Sequence, residues 1–326
     1  MLKEIETLSA FIGNTPLRGL KSDIVELYAK LEYYNFSGSS KDRPAYSMIY
    51  NGIKKGKINK DTVIIASSSG NLAIAVASIC KKLCLKFIPV IDPNINHDYE
   101  ALLNLMSYKV VKVSERDKTG GYLLTRINTV SEMCMKIKNS FCADQYNDPS
   151  NYRGYYGLGN EIMQSLPGLN YIFIAVSSSG AITGVSKTIK KQMPWIKIIG
   201  VDVEGSVIFG QPPKKRFISG IGASQVPSIM KNASIDDVVI VSQEDIIKGC
   251  FELLDEQIIF AGASSGAVYS ASKTYFSKLS QHEKPSALII LPDKGYPYLD
   301  TIYNKEWSTG MCAKPNLPVL AEDIIL

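Results

Sequence analysis

Histidine is almost missing from this chain: only His97 and His282 occur in 326 residues. A Ser-His-Asp hydrolase would have to use one of them, and nothing around either supports that role. Six cysteines are present (Cys80, Cys84, Cys134, Cys142, Cys250 and Cys312), but none forms a C-x-x-C pair and no histidine lies beside one. A metal site is therefore not expected, and the cysteines read most simply as small buried apolar residues. Nucleotide fingerprints are missing too. There is no G-x-x-x-x-G-K-S/T, and Gly157-Leu158-Gly159 and Gly220-Ile221-Gly222 lack the third glycine of a dinucleotide-binding turn, which leaves an NAD-dependent dehydrogenase without support. No G-x-S-x-G nucleophile elbow occurs.

Runs of one kind are scarce as well. The most apolar stretch, 63–80, is interrupted by Ser67-Ser68-Ser69-Gly70-Asn71, so it does not read as a membrane span. No block of five or six like charges appears, and the Lys-Lys pairs are scattered; a net charge of +5 fits a solvated surface better than nucleic-acid binding. A mildly basic surface does favour anionic substrates through long-range attraction. The opening residues lack the basic-then-apolar order of an export signal, and with reduced thiols a cytoplasmic location is expected.

What the chain does have is regular alternation. Apolar, β-branched runs predict strands over 25–30, 62–66, 86–91, 109–113, 171–176, 197–201, 238–241 and 287–291. Helical periodicity predicts helices over 44–54, 72–82, 99–106, 122–138, 154–166, 182–192, 244–256 and 267–278. This order reads as an α/β protein with mainly parallel sheets, and the length suggests two domains. Runs such as Val63-Ile64-Ile65-Ala66 suit strands buried on both faces.

Four loops combine a strand exit, small polar residues and a following helix: Ser37-Gly38-Ser39-Ser40 before Lys41, Ser67 to Asn71, Ser177-Ser178-Ser179-Gly180-Ala181, and Gly262-Ala263-Ser264-Ser265-Gly266. A helix start offers free backbone N–H groups and a positive dipole end, which suits a phosphate or carboxylate. One such loop is ordinarily a plain cap or turn. Four in one chain favour a phosphorylated ligand. Lys41 stands at a helix start, a place the dipole disfavours for lysine, and lysine chemistry on an organic cofactor fits a chain so poor in histidine.

The segment around Lys41, Ser-Gly-Asn at Asn71, the loop at 177–181, Gly220-Ile221-Gly222-Ala223 and Gly262 to Gly266 occur in the order and spacing of the cysteine synthase / cystathionine β-synthase family, which the chain resembles over nearly its whole length. The opening Ile12-Gly13-Asn14-Thr15-Pro16-Leu17 is similar to that family's start. The resemblance implies a fold-type II, tryptophan synthase β-like architecture of two doubly wound domains with pyridoxal 5'-phosphate (PLP) in the cleft between them. It implies a smaller mobile domain over 35–145, joined by the first few residues, and a larger cofactor-binding domain over 9–34 and 146–326. It further implies a homodimer; with nothing of domain size after Pro292-Asp293, no C-terminal regulatory domain is expected.

Residue by residue, the resemblance implies that Lys41 carries PLP as a Schiff base and acts as general base. Asn71 would bond the ring hydroxyl, Ser177, Ser178, Ser179, Gly180 and Ala181 would cup the phosphate, and Ser264 would face the pyridine nitrogen. A neutral serine there keeps that nitrogen unprotonated and favours β-elimination over transamination. Ser67, Ser68 and Ser69 would hold the substrate carboxylate, with Gln145 and Gly220 in the same substrate site. Arg126 would take an anionic group, with Tyr146 and Ser179 lining the same cleft.

The chain departs from cysteine synthase in Phe36-Ser37-Gly38-Ser39, in Leu72-Ala73 after Asn71, and in the serines of 177–179. Segments 41–45, 120–127, 145–147, 205–210, 222–227 and 291–296 resemble the branch of the family that makes a 2,3-diaminopropionate precursor for siderophores and peptide natural products. Its substrates would be O-phospho-L-serine and L-glutamate, joined through α-aminoacrylate. A cysteine synthase using O-acetylserine or O-phosphoserine is the alternative, and a non-catalytic family member that binds another enzyme is the alternative of another class.

Overall fold

The structure is a computed structural model that describes residues 1–278 and 284–312; His282 lies outside the described residues. The strands are β1 (Leu17–Leu20), β2 (Glu26–Leu31), β3 (Val63–Ser67), β4 (Lys86–Ile91), β5 (Val111–Lys112), β6 (Ser140–Cys142), β7 (Tyr171–Ala175), β8 (Lys197–Val203), β9 (Asp237–Val241) and β10 (Ser286–Leu291). The helices are α1 (Leu2–Glu6), α2 (Asp42–Lys54), α3 (Asn71–Lys82), α4 (His97–Met106), α5 (Leu123–Lys136), α6 (Pro149–Arg153), α7 (Tyr156–Ser165), α8 (Gly180–Gln192), α9 (Gln243–Gln257), α10 (Ala263–Ser277) and α11 (Lys305–Cys312).

The strands form two sheets. One has six strands in the order β1-β2-β10-β7-β8-β9, parallel except for the β1–β2 pair; the other has four parallel strands in the order β5-β4-β3-β6. Successive residues of a strand point to opposite faces, and both sheets use this on both sides. In the six-stranded sheet, Leu27, Phe173, Ile199 and Ile289 pack into one core with α9 and α10, while Ile172, Ile174, Ile198 and Leu288 pack into another with α7 and α8. In the four-stranded sheet, Ile64, Ala66 and Phe87 meet α2 and α3, and Ile65 and Val90 meet α5. Each sheet is thus covered by helices on both faces, the doubly wound arrangement expected of near-continuous apolar strands. Ile5 and Leu8, from the start of the chain, belong to the core of the four-stranded sheet.

All eight predicted strands are present, although the fourth, expected over 109–113, shrinks to Val111–Lys112. Two of the four small-residue loops, at 67–71 and 177–181, leave a strand directly. The other two do not. A 3-10 turn (Glu32–Tyr34) separates β2 from the Lys41 loop, and Gly262 is preceded only by an isolated bridge between Ala261 and Lys294. The thiols also differ from expectation: Cys80 and Cys250 are buried, but Cys84 is exposed and Cys134 and Cys142 are half-buried. Among the described residues no helix is long and apolar enough to cross a membrane, and no group of three or more His, Cys, Asp or Glu side chains is placed to hold a metal ion.

Candidate active site

Lys41 occupies the capping position of α2 and is half-buried. The loop before it is closed by Asp42, whose buried carboxylate accepts from the Ser37 amide at 2.7 Å and from Ser37 Oγ at 2.6 Å. Burial pushes the Asp42 carboxyl up to about 6, against these hydrogen bonds. Ser40 N donates to Pro292 O at 2.8 Å and Ser39 forms a bridge with Asp293, so the loop is stitched to the exit of β10. The residue after Asp42, Arg43, is buried between two carboxylates. It forks onto Glu32 at 2.6 and 2.8 Å and onto Glu161 at 2.8 and 3.0 Å, and Lys30 Nζ completes the set 2.8 Å from Glu161. Two cations and two anions balance, which is what makes such burial tolerable. By contrast, the Lys41 ammonium makes no hydrogen bond or ion pair among the described residues.

The start of α3 carries Ser67 to Asn71. Gly70 is the capping residue, and Asn71, the first helical residue, leaves the cap role to the backbone. Its side chain spans outward instead: Nδ2 donates to Asp293 Oδ2 at 2.8 Å and Oδ1 accepts from the Tyr99 hydroxyl at 2.6 Å. Ser69 Oγ donates to Asp92 Oδ2 at 2.8 Å and accepts from Arg126 Nη1 at 3.1 Å. Arg126 Nε lies 3.0 Å from Asp92 Oδ2, an ion pair although not aligned as a hydrogen bond. Arg126 is therefore not on the exposed face of α5; the Glu132–Lys136 pair takes that place. Ser68 Oγ accepts from the Gly70 amide at 3.3 Å, and Ser67 Oγ is buried without a partner.

The start of α8 is built differently. Ser179, its capping residue, sits in the left-handed region at φ 65°, and its Oγ is buried with no partner. A Cβ on Gly180 would lie 2.1 Å from Asn151 Oδ1, so only glycine lets the helix start approach that side chain. Ser178 is buried, Ala181 half-buried, and Ser177 Oγ donates to Gly222 O at 3.0 Å. The first amides of a helix have no partner within it, and an anion at this start would take them together with Ser179 Oγ.

Two further sequence-predicted positions meet across from these loops. Ser264, in the first turn of α10, donates to Gly220 O at 3.0 Å, whereas Ser265 Oγ is fully buried and unpartnered. Gly220 has φ 92°, and a Cβ there would lie 2.7 Å from the Tyr298 hydroxyl. Gln145 Nε2 donates to Ser67 O at 3.2 Å, and its main-chain carbonyl accepts from Asn151 Nδ2, so it ties the loop at 67–71 to the side chain that packs on Gly180. Tyr146 is buried yet lies in none of the four apolar clusters; burial raises its pKa, with Arg126 and Arg216 opposing.

Three residues near these loops escaped the sequence reading: Asp293, Tyr99 and Asp92. Asp293 receives both Asn71 and the Tyr298 hydroxyl on Oδ2 (2.8 and 3.0 Å), and its Oδ1 is buried without a partner. Burial raises its pKa, while Asn71, Tyr298 and the charge of Lys41 hold it down. Its sequence signal was the segment 291–296 after β10, which resembles the family branch but assigned Asp293 no role.

Two doubly wound parallel sheets, with a lysine at one helix start and an unpartnered serine hydroxyl beside a tightly packed glycine at another, are the arrangement of fold-type II PLP enzymes. The chain belongs to the pyridoxal-phosphate dependent enzyme family, whose profile matches residues 8–293. It is 38% identical over 317 residues to an N-(2-amino-2-carboxyethyl)-L-glutamate synthase of Cupriavidus metallidurans, covering 95% of this chain and 93% of that protein. A synthase of the same name from Ralstonia nicotianae is 38% identical over 309 residues, 93% and 90% of the two chains. The fold superposes on the O-acetylserine-dependent cystathionine β-synthase of Helicobacter pylori with a TM-score of 0.83 at 29% identity, over 90% of this chain and 97% of that one. The protein is thus a PLP-dependent β-replacement enzyme. The residues present fit the cofactor: the orphaned Ser179 Oγ and the close approach at Gly180 suit its phosphate, and Lys41 is left without a competing partner.

Proposed function

We propose that this enzyme joins O-phospho-L-serine to L-glutamate, giving N-(2-amino-2-carboxyethyl)-L-glutamate and phosphate, a precursor of 2,3-diaminopropionate. The observation that carries this reading is Arg126, a largely buried guanidinium beside the Ser69 loop and within the field of Tyr146. A nucleophile that bears carboxylates needs such a cation; sulfide does not. Asp92 lies against Nε as an ion pair and Ser69 accepts one N–H of Nη1, which leaves the other N–H groups of the guanidinium to fork onto a carboxylate.

In this reading Lys41 holds the cofactor and, once released, removes the α-proton of O-phosphoserine. The bound cofactor supplies the electron sink that acidifies that proton and lets the β-substituent leave. Ser177, Ser178, Ser179, Gly180 and Ala181 hold the cofactor phosphate, Asn71 orients the ring and Ser264 faces its nitrogen. Ser67, Ser68, Ser69, Gln145 and Gly220 seat the substrate, and Arg126 and Tyr146 orient glutamate so that its amine meets Cβ. Lys41 then returns its proton to Cα.

Residues 35–145 act as the smaller mobile domain, and 9–34 with 146–326 as the larger; this fits the two sheets, although 279–283 and 313–326 lie outside the described residues. The enzyme works in the cytoplasm as a homodimer on small amino acids, with no nucleic-acid or membrane partner.

The decisive experiment offers O-phosphoserine with glutamate, sulfide and homocysteine in competition and identifies products by mass spectrometry. The glutamate adduct should dominate, and cysteine as the main product would replace this reading with that of a cysteine synthase. Lys41→Ala should remove the lysine-bound visible band and lower kcat by roughly 10³-fold, within the range for loss of a general base.

A further inference from the structure

The carboxylate of Asp293 has more attached to it than a structural role requires. It lies at the exit of β10, almost wholly buried, and receives Asn71 from the start of α3 on the four-stranded sheet's side and Tyr298 from its own side, both on Oδ2. Its Oδ1 has no partner. The Tyr99 hydroxyl donates to Asn71 Oδ1, so the amide of Asn71 is held from both ends in one orientation. The titratable groups that reach Asp293 are Lys41, Tyr298, Tyr303 and Cys250, with Tyr99 beyond Asn71. Burial raises the tyrosines and the thiol far above neutrality, so all four are uncharged there. Among the described residues this leaves Lys41 as the full charge whose field reaches the carboxylate, without an ion pair between them. An acceptor for Asn71 and Tyr298 alone would be served by a neutral oxygen, and a buried charge is costly unless something answers it.

We propose that Asp293 is a positioning residue of the reaction: its carboxylate fixes the Asn71 amide and supplies the counter-charge for Lys41 whenever that side chain carries the α-proton as an ammonium. The inference rests on the reading that Lys41 holds the cofactor and moves that proton. The proton balance is simple. The Cα–H bond breaks and its proton goes to Lys41 Nζ, while the electron pair forms Cα=Cβ and the Cβ–O pair leaves with phosphate. When the glutamate amine adds its lone pair to Cβ, Lys41 gives the same proton back to Cα and the amine sheds one to solvent. Asp293 keeps the proton on Lys41 between these two events instead of letting it escape.

Asp293→Asn keeps the shape and removes the charge. In the resting holoenzyme, without substrate, the pH at which the visible band of the lysine-bound cofactor changes should fall by about one unit, as for loss of one nearby opposite charge. The kcat should fall roughly 10- to 100-fold with KM for O-phosphoserine within about twofold, the pattern of a contact used only during turnover. A variant that loses thermal stability but keeps the wild-type band transition overturns the proposal. Should Asp293→Asn fail to fold, the coupling is read from the other side, because it is reciprocal. The carboxyl of 13C-labelled Asp293 should titrate at higher pH in Lys41→Ala than in the wild-type holoenzyme, and an unmoved titration overturns the proposal. If Lys41→Ala retains a lysine-bound band, the fault lies with the role given to Lys41 and not with Asp293.

Discussion

The two serine-rich helix starts, at α3 and α8, look alike in sequence and differ in physics. At α3 the loop is wired to charge: Ser69 is held between Asp92 and Arg126, and Asn71 reaches Asp293. At α8, among the described residues, no side-chain charge contacts the loop; the backbone turns left-handed at Ser179 and packs Gly180 against Asn151. The first arrangement can shift with whatever anion arrives, because its polar partners are side chains. The second is fixed by backbone shape, which suits a phosphate that stays while substrates come and go.

The largest test of this contrast is Arg126→Met. It leaves Asp92 buried without its cation, which typically costs about 3–5 kcal/mol, and it should lower kcat/KM for glutamate by roughly 100-fold or more while leaving cofactor affinity within about twofold. Urea unfolding and steady-state kinetics measure both; an equal loss of cofactor affinity would erase the distinction between the loops.

A third helix start, that of α2, sharpens the comparison through pH. Burial would raise the carboxyl of Glu161, but Arg43 and Lys30 more than offset this and hold it at about 2, below the ordinary 4.5. Its folded pKa is depressed, so the stabilisation is complete above about 4.5 and is lost as pH falls toward 2. The loss should be on the order of 3 kcal/mol, read as a falling urea midpoint between these pH values, and the slope should flatten in Glu161→Gln.

Gly180→Ala comes next. Its methyl must displace Asn151, and overpacking of this kind costs about 1–3 kcal/mol; fluorescence titration should show cofactor binding weakened by up to roughly 100-fold while Arg126 and its loop still function. Ser179→Ala is the mildest change. Removing one hydroxyl from a site whose amides remain should cost about 1 kcal/mol, or fivefold in cofactor affinity. If it costs more than Gly180→Ala, side chains and not backbone shape hold the anion.

Much of this was readable from residues alone, for physical reasons. Strands buried on both faces announce themselves as unbroken apolar runs, and all eight predicted ones exist. β1 and β6 escaped because they have only four and three residues. α6 escaped although Asp148 caps it, accepting from Ser150 N at 2.7 Å ahead of Pro149; the segment is short and has no apolar stripe. Lys41, Asn71 and Ser179 stood out because small residues at helix starts form a local pattern. Asp293 did not, since its partner Asn71 is 222 residues away. A contact of that separation has no periodicity to betray it. The surroundings of Tyr146 had no local signal for the same reason, as only the fold brings Arg126 and Arg216 within its reach.

The buried Arg43 cluster determines which body the lysine travels with. The middle of α2, at Ala45, Met48 and Ile49, packs in the core of the four-stranded sheet, yet its root is riveted to Glu32 and Glu161 on the six-stranded side, and the loop before it to Pro292. The motion of the smaller domain proposed above would therefore turn about the base of α2, with Lys41 close to the axis. Lys41 and the α8 cradle would keep a common reference frame through such a swing, while Arg126, Ser69 and Asn71 change their distance from it. Opening would release amino acids and leave the cofactor in register with its lysine.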